Sequence, residues 1–199
     1  TIDSYPNCTL IEGTYQIANA IYTIALHNVT TEAQPFLYTF ADFSHPYASI
    51  FFKPLYHPAF QSLHVKQLVE YQKTQIDGEN YDNIHNIQIL TNLLPSFAAF
   101  PGSFSVYFYY SARNRFKQQA SAFPFYIITN THVLLLSPSY ETAMLLSDPA
   151  IHAYYLKNYK QILTKSNTLT EGAQSPLELL DALNKVDPST NYPLCLNIQ

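Results

Sequence analysis

Tryptophan is absent from this 199-residue chain, methionine occurs once, cysteine twice and glycine four times. The glycines stand singly at 13, 78, 102 and 172, which excludes a glycine-rich loop able to cradle a phosphate. Cys8 and Cys195 lie at opposite ends, without the spacing of a metal or redox motif, and are expected to be buried apolar thiols, with a bridge between the termini as the alternative. Charge is also scarce: Asp, Glu, Lys and Arg make up 12% of the chain, against about 25% in ordinary globular domains. The net charge is −4, and the ten basic residues are spread along the whole length. Non-specific nucleic-acid binding draws its affinity from a concentrated positive surface, so no nucleic-acid contact is expected from these residues. No apolar run approaches the roughly 18 residues of a membrane span, and the opening Thr-Ile-Asp-Ser-Tyr-Pro lacks the basic and apolar regions of a signal peptide. No membrane association is therefore expected, and a cytoplasmic location is.

What the chain has in excess is amphipathic ring: 17 Tyr and 13 Phe. Such residues pack a core with one end and offer a hydroxyl with the other. Low charge weakens the electrostatic barrier to self-association, so a homo-oligomer is expected. Asn7-Cys8-Thr9 and Asn28-Val29-Thr30 match the glycosylation acceptor pattern, at the frequency chance gives in a chain this rich in Asn, Ser and Thr, and are not read as secretion.

The periodicities predict one α+β domain over 1–199, an antiparallel sheet packed against amphipathic helices. Phe125–Thr129 and Val133–Ser137, joined by Asn-Thr-His, read as a β-hairpin. Asp148 and Pro149 then supply an N-cap and a first-turn proline for a helix over 149–164, in which Ile151, Tyr155, Tyr159 and Leu163 recur every fourth residue. Phe104–Tyr110 is a third apolar run, placed in the same central sheet. Upstream, 14–27 favours helix, while Phe36–Phe40 and Ser49–Phe52 read as short strands around the turn Ser44-His45-Pro46. Pro58 opens a helix expected to run to the Asp77-Gly78 break, and Ile84–Leu94 forms another that Pro95 ends. Downstream come a polar loop over 166–174, a capped helix from Ser175 to Val186 and a last strand from Tyr192 to Ile198.

Chemical constellations are sparse. His57 and His64 share a helix face only if a helix starts early, and the spacing of zinc ligands is missing, so no metal or other cofactor is expected. Asp42 and His45 are the tightest acid–histidine pair and read as turn chemistry rather than part of a triad. The polar cluster that stands out is Arg113, Arg115 and Lys117, which holds both arginines of the chain at alternate positions after a strand. An extended backbone would point all three one way, as a comb for a carboxylate or phosphate; a charged strand end that discourages edge pairing is the competing reading. Tyr107, Tyr109 and Tyr126 are the candidates for the wall of a neutral or apolar ligand site.

The stretch from about 123 to 169, with its FYIITNTHVLLLS hairpin, SPSYETAMLLSDPAIHAYY and a helix ending near Ser-Asn-Thr-Leu, resembles the C-terminal effector region of bacterial helix-turn-helix transcriptional regulators. Tyr192-Pro193-Leu194-Cys195-Leu196 is similar to the short terminal strand some of them carry. The resemblance covers about a quarter of the chain and transfers no binding residue. It implies a strand pair followed by an acidic-Pro-capped helix, in a domain that senses a signal or mediates dimerisation. The expected function is therefore a non-catalytic regulatory domain with a small-molecule or peptide effector. A start at Thr rather than Met fits a fragment without its DNA-binding module. A secreted or host-directed interaction domain is the second expectation, and a small hydrolase or transferase with a dispersed site the third.

Overall fold

A computed structural model describes residues 7–72, 75–76, 79–80, 84–111 and 121–171. Ten strands and four α-helices follow in chain order: β1 (Cys8–Glu12), α1 (Thr14–Thr31), β2 (Phe36–Phe40), α2 (Pro46–Phe52), β3 (His64–Gln72), β4 (Gln75–Ile76), β5 (Glu79–Asn80), α3 (Ile84–Ala99), β6 (Ser103–Ser111), β7 (Phe125–Ile128), β8 (Val133–Leu136), β9 (Thr142–Leu146), α4 (Pro149–Leu163) and β10 (Asn167–Glu171). Short 3-10 turns at Lys53–Tyr56 and Pro58–Phe60 link α2 to β3. Eight strands form one sheet in the order β1-β9-β8-β7-β2-β3-β6-β10, and β4 pairs with β5 apart from it.

The sheet is mixed. Strands β2, β3 and β6 run parallel, and the remaining ladders of the sheet are antiparallel. Parallel neighbours need crossover connections, which α2 with the 3-10 turns and then α3 provide. Side chains alternate between two covered faces. On one, Leu37, Val65, Val69, Val106, Ile127, Leu134 and Leu145 meet α1, α2 and α3 in the larger core. On the other, Tyr38, Leu68, Tyr126, Ile128, Val133 and Leu135 meet Tyr155, Tyr159 and Leu163 of α4.

Several expectations stand. The 125–137 hairpin forms with the register Phe125 opposite Leu136, α1 is helical, and Asp148 caps α4 by accepting from the amides of Ala150 and Ile151, each at 2.9 Å. The three apolar runs share one sheet, but β6 reaches it beside β3 in parallel, with β2 and β3 between it and the hairpin.

Other expectations are corrected. The helix expected from Pro58 is a single 3-10 turn followed by β3: buried Val65, Val69 and Tyr71 alternate with the partly buried Lys66 and Glu70, but Gln67 on the buried side and Leu68 on the other interrupt that period in the sequence. His57 and His64 accordingly share no helix face; His57 Nδ1 accepts from the Ala59 amide, capping that turn. Ser49–Phe52 belongs to α2, where Pro46 takes the first turn and His45 Nδ1 accepts from the Tyr47 amide at 3.3 Å. Pro95 lies inside α3, whose last turn is held by Phe97 against Phe104 and by the Ser96 hydroxyl bonded to Tyr56. Part of the expected 166–174 loop is β10, paired with β6. Cys8 is exposed, since it shares the outward side of edge strand β1 with Leu10 and Glu12. Cys195, the Asp77-Gly78 break, the 175–186 helix and the 192–198 strand lie outside the described residues.

Two asparagines, one buried and one partly buried, tie the layers together where β2 begins. Asn28, fully buried on α1, donates from Nδ2 to the Phe36 carbonyl at 2.8 Å and accepts from the Asn130 amide at 3.3 Å. Asn130, in the hairpin turn, accepts from the Phe36 amide and donates to the Gln34 carbonyl. The burial of Asn28 also makes the acceptor pattern at 28–30 unusable in the folded chain. Replacing Asn28 with Ala strands the Phe36 carbonyl and the Asn130 amide, so a loss of about 2 kcal/mol is expected in urea unfolding, with the denaturant slope unchanged.

The same hairpin turn carries His132, buried against the edge of His27 on α1 and bonded through Nδ1 to the Thr131 hydroxyl. From α4, His152 Nε2 donates to the Thr129 carbonyl at 2.8 Å. Burial, then His27 and His152, push the His132 imidazole below its ordinary range. A base depressed in the folded state binds its proton more readily when unfolded. Its contribution to stability is therefore intact above about pH 6.5 and declines as the pH falls from there through the folded value. His132→Gln should flatten this acid limb of a melting-temperature profile measured between pH 7.5 and 5; an unchanged limb would show that other groups cause it.

Candidate functional site

The carboxyl ends of parallel strands are the usual place for a binding site in sheets of this kind, and two hollows lie at that end here. One is a cavity of about 30 Å³ among Asp42, Glu70, Gln72, His85, Ile89 and Phe125. That is space for a water or two. Asp42 is occupied beside it, its Oδ1 accepting from the Ser44 amide at 2.9 Å and hydroxyl at 2.6 Å, while the His45 amide donates to its carbonyl. Asp42 and His45 thus form a turn, as their spacing implied.

The other hollow lies on the α4 side and is far larger. Asp148 and Pro149 fix where α4 starts, and the four-residue spacing of Tyr155 and Tyr159 then lays both rings on the sheet. Tyr159 is fully buried, stacks on Tyr38 with centroids 5.2 Å apart, and donates its hydroxyl to the Lys66 carbonyl at 2.7 Å. Lys66 Nζ sits over the Tyr38 and Tyr107 rings, at 5.7 and 5.8 Å. Tyr126 meets Tyr155 edge to face at 5.2 Å. Beyond these contacts the helix and sheet part into a cleft of about 660 Å³. Its sheet side is Tyr109, Tyr110 and Tyr126; its helix side is Tyr154, Tyr155, Asn158, Gln161 and Ile162, with Lys165 just past the helix end.

The hydroxyls of this layer differ in their partners. Tyr109 donates to Glu70 Oε2 at 3.0 Å. The Tyr126 hydroxyl is buried without a hydrogen-bond partner. Burial, with Tyr155 next in weight, pushes the Tyr126 phenol up to about 12. Burial raises Tyr109 as well, reinforced by Glu70, and raises Tyr155, reinforced by Tyr154. These phenols therefore stay neutral near pH 7, as hydrogen-bonding groups rather than phenolate nucleophiles.

Of the candidates read from the sequence, Tyr109 and Tyr126 come together on the cleft wall. Tyr107 lies on the same sheet face, under Lys66. Arg113, Arg115 and Lys117 lie outside the described residues. The helix side of the wall was not anticipated. Its signal is the row Tyr154, Asn158, Gln161 and Lys165, at helical spacing beside the row of half-buried Tyr155 and buried Tyr159. Ile151, placed on the core stripe by its spacing, is exposed at the helix start.

No protein-family model matches the chain, and no curated protein matches it. Among solved structures the chain is similar to TrmBL2, an archaeal chromatin protein whose structure shows a novel mode of DNA binding, at 11% identity and a TM-score of 0.45. That match covers 84% of this chain and 55% of TrmBL2, so the chain spans about half the length of its neighbour. A likeness this distant carries no statement about what the chain does.

Removing an unsatisfied buried hydroxyl relieves a desolvation penalty, whereas removing a bonded one strands its partner. Tyr126→Phe is expected to leave stability unchanged or raise it by up to about 1 kcal/mol, and Tyr159→Phe to lower it by about 1–2 kcal/mol. Paired thermal melts check the contrast, and a reversed order would contradict it.

Proposed function

We propose that the chain is a non-catalytic regulatory domain of a transcriptional regulator, and that the tyrosine-walled cleft beside α4 receives its effector. The observation that carries this reading is the cleft itself: about 660 Å³ between helix and sheet, bounded by five tyrosines, two amide side chains and one lysine. That volume is in the range of small-molecule sites, and ring walls with a few polar groups are their usual composition. Neutral phenols support a role in holding a ligand rather than transforming one. The resemblance of 123–169 to effector regions covers the Tyr126 strand and all of α4, so the segment that suggests regulation also builds most of the cleft.

In this reading the domain also pairs with a second copy. Charge at 12% leaves little repulsion between faces, and a regulator that reads a two-fold DNA site is itself two-fold. Sedimentation velocity should give a dimer at micromolar concentration; a monomer persisting to about 1 mM would contradict the pairing.

The cleft is tested by a thermal-shift screen of metabolites and short peptides on the wild type, on Tyr155→Ala and on the Arg113→Ala, Arg115→Ala double variant. At least one compound class should raise the melting temperature of the wild type and fail on Tyr155→Ala. Equal shifts in wild type and Tyr155→Ala would place binding elsewhere, and loss in the arginine variant alone would assign it to the cationic comb.

A further inference from the structure

The two edges of the large sheet differ. At one, β10 is broken by a bulge between Thr168 and Thr170, a device that twists an edge away from further pairing. At the other, β1 keeps an unbroken register with β9 from Cys8 to Glu12 and carries neither lysine nor proline. The Gly13 amide donates to the Glu141 carbonyl, and the Asn7 carbonyl accepts from the Ser147 amide. Bonding alternates along an antiparallel ladder, so Thr9 and Ile11 also turn their backbone groups to β9. The N–H and C=O of Cys8, Leu10 and Glu12 therefore point to the side on which no described strand pairs. Their side chains share the face opposite buried Ile11, where Leu10 is 57% exposed. An edge left unblunted in this way is a template for another strand.

Resting on the pairing in the reading above, we propose that β1 is the contact through which two copies of the chain join, antiparallel, about a two-fold axis at Leu10. Only the outward-pointing residues can bond across the axis, and the register centred on Leu10 is the one that uses all three. It sets Leu10 opposite Leu10 of the second copy, and Cys8 opposite Glu12 in both directions, each pair exchanging both of its N–H···O bonds. Centring on Thr9 or Ile11 instead leaves one of the three facing a residue outside the strand. The same register brings the two exposed leucines together and keeps Glu12 away from its copy, so no like charges face each other. The edge is thus complementary to itself, as a two-fold interface has to be, and that self-match favours a second copy over a foreign strand.

Sedimentation equilibrium on the full chain tests the surface with Leu10→Lys and Leu10→Glu, changes at an exposed side chain. Each should raise the dimer dissociation constant about tenfold while the melting temperature of the dilute monomer holds. An equimolar mixture of the two should associate at least as tightly as the wild type, because position 10 faces itself. In a Cys8→Ser, Cys195→Ser background, Leu10→Cys should form a disulfide-linked dimer under mild oxidation, since directly bonded strand pairs lie about 5.5 Å apart at Cα. Glu12→Cys, about 14 Å from its copy in this register, should not. Variant homodimers as tight as the wild type, no gain on mixing, or equal cross-linking at both positions would each overturn the β1 interface while the dimer itself stands. A wild-type monomer persisting to about 1 mM would overturn the interface together with the pairing on which it rests.

Discussion

Three adjacent parallel strands, β2, β3 and β6, impose the constraint on which the rest of the architecture depends. Parallel strands are joined by crossovers that put helices on the sheet, and such sheets are stable when both faces are covered. Here α1, α2 and α3 cover one face with an aliphatic and phenylalanine core. On the other, α4 is the only α-helix among the described residues, and 15 residues of helix are about 22 Å long. One such rod cannot cover the span from β9 to β6. Tyrosines complete the layer, because a phenol ring can be buried at its base and polar at its tip. The cleft runs along the margin of α4, where the sheet continues past the helix, so it follows from how the second face is covered.

Low charge and suppressed phenol ionisation belong to the same solution. Tyr38, Tyr109, Tyr126, Tyr155 and Tyr159 share a layer in which burial raises every one of them above the ordinary phenol range. Two charged groups in this layer are received by rings or hydroxyls: Lys66 over Tyr38 and Tyr107, and Glu70 under Tyr109. Such a surface discriminates by shape and by a few hydrogen bonds. On the proposed function, such a surface suits a small, weakly charged molecule.

Much of this was legible in the sequence wherever local chemistry decides the outcome. The hairpin follows from two apolar runs and a three-residue link, and α4 from Asp148, Pro149 and a four-residue repeat. Reading failed where tertiary burial erased the local pattern. Strand β3 turns Val65, Gln67, Val69 and Tyr71 to one face and Lys66, Leu68 and Glu70 to the other, so a polar and an apolar residue exchanged at its centre interrupt the strand period. Pro95 was read as a terminator, but Phe97 and Ser96 find partners that hold the last turn beyond it. On the sheet side of the cleft, Tyr109 and Tyr126 were among the candidates read from the sequence and Tyr110 was not. The α4 half needed the helix phase: once Tyr155 and Tyr159 face the sheet, the row from Tyr154 to Lys165 must line its margin.

Tyrosine rings are the natural reporters, since the chain has 17 of them and no tryptophan. The most direct measurement is an NMR titration of the chain labelled with ¹³C at the tyrosine rings, assigned by single Tyr→Phe variants, with whichever ligand stabilises the wild type. The account predicts shifts at Tyr109, Tyr126 and Tyr155, with Tyr71 and Tyr140, in the core on the opposite face, unmoved. Shifts confined to Tyr71 and Tyr140, or spread evenly over all the rings, would contradict a binding site between α4 and the sheet.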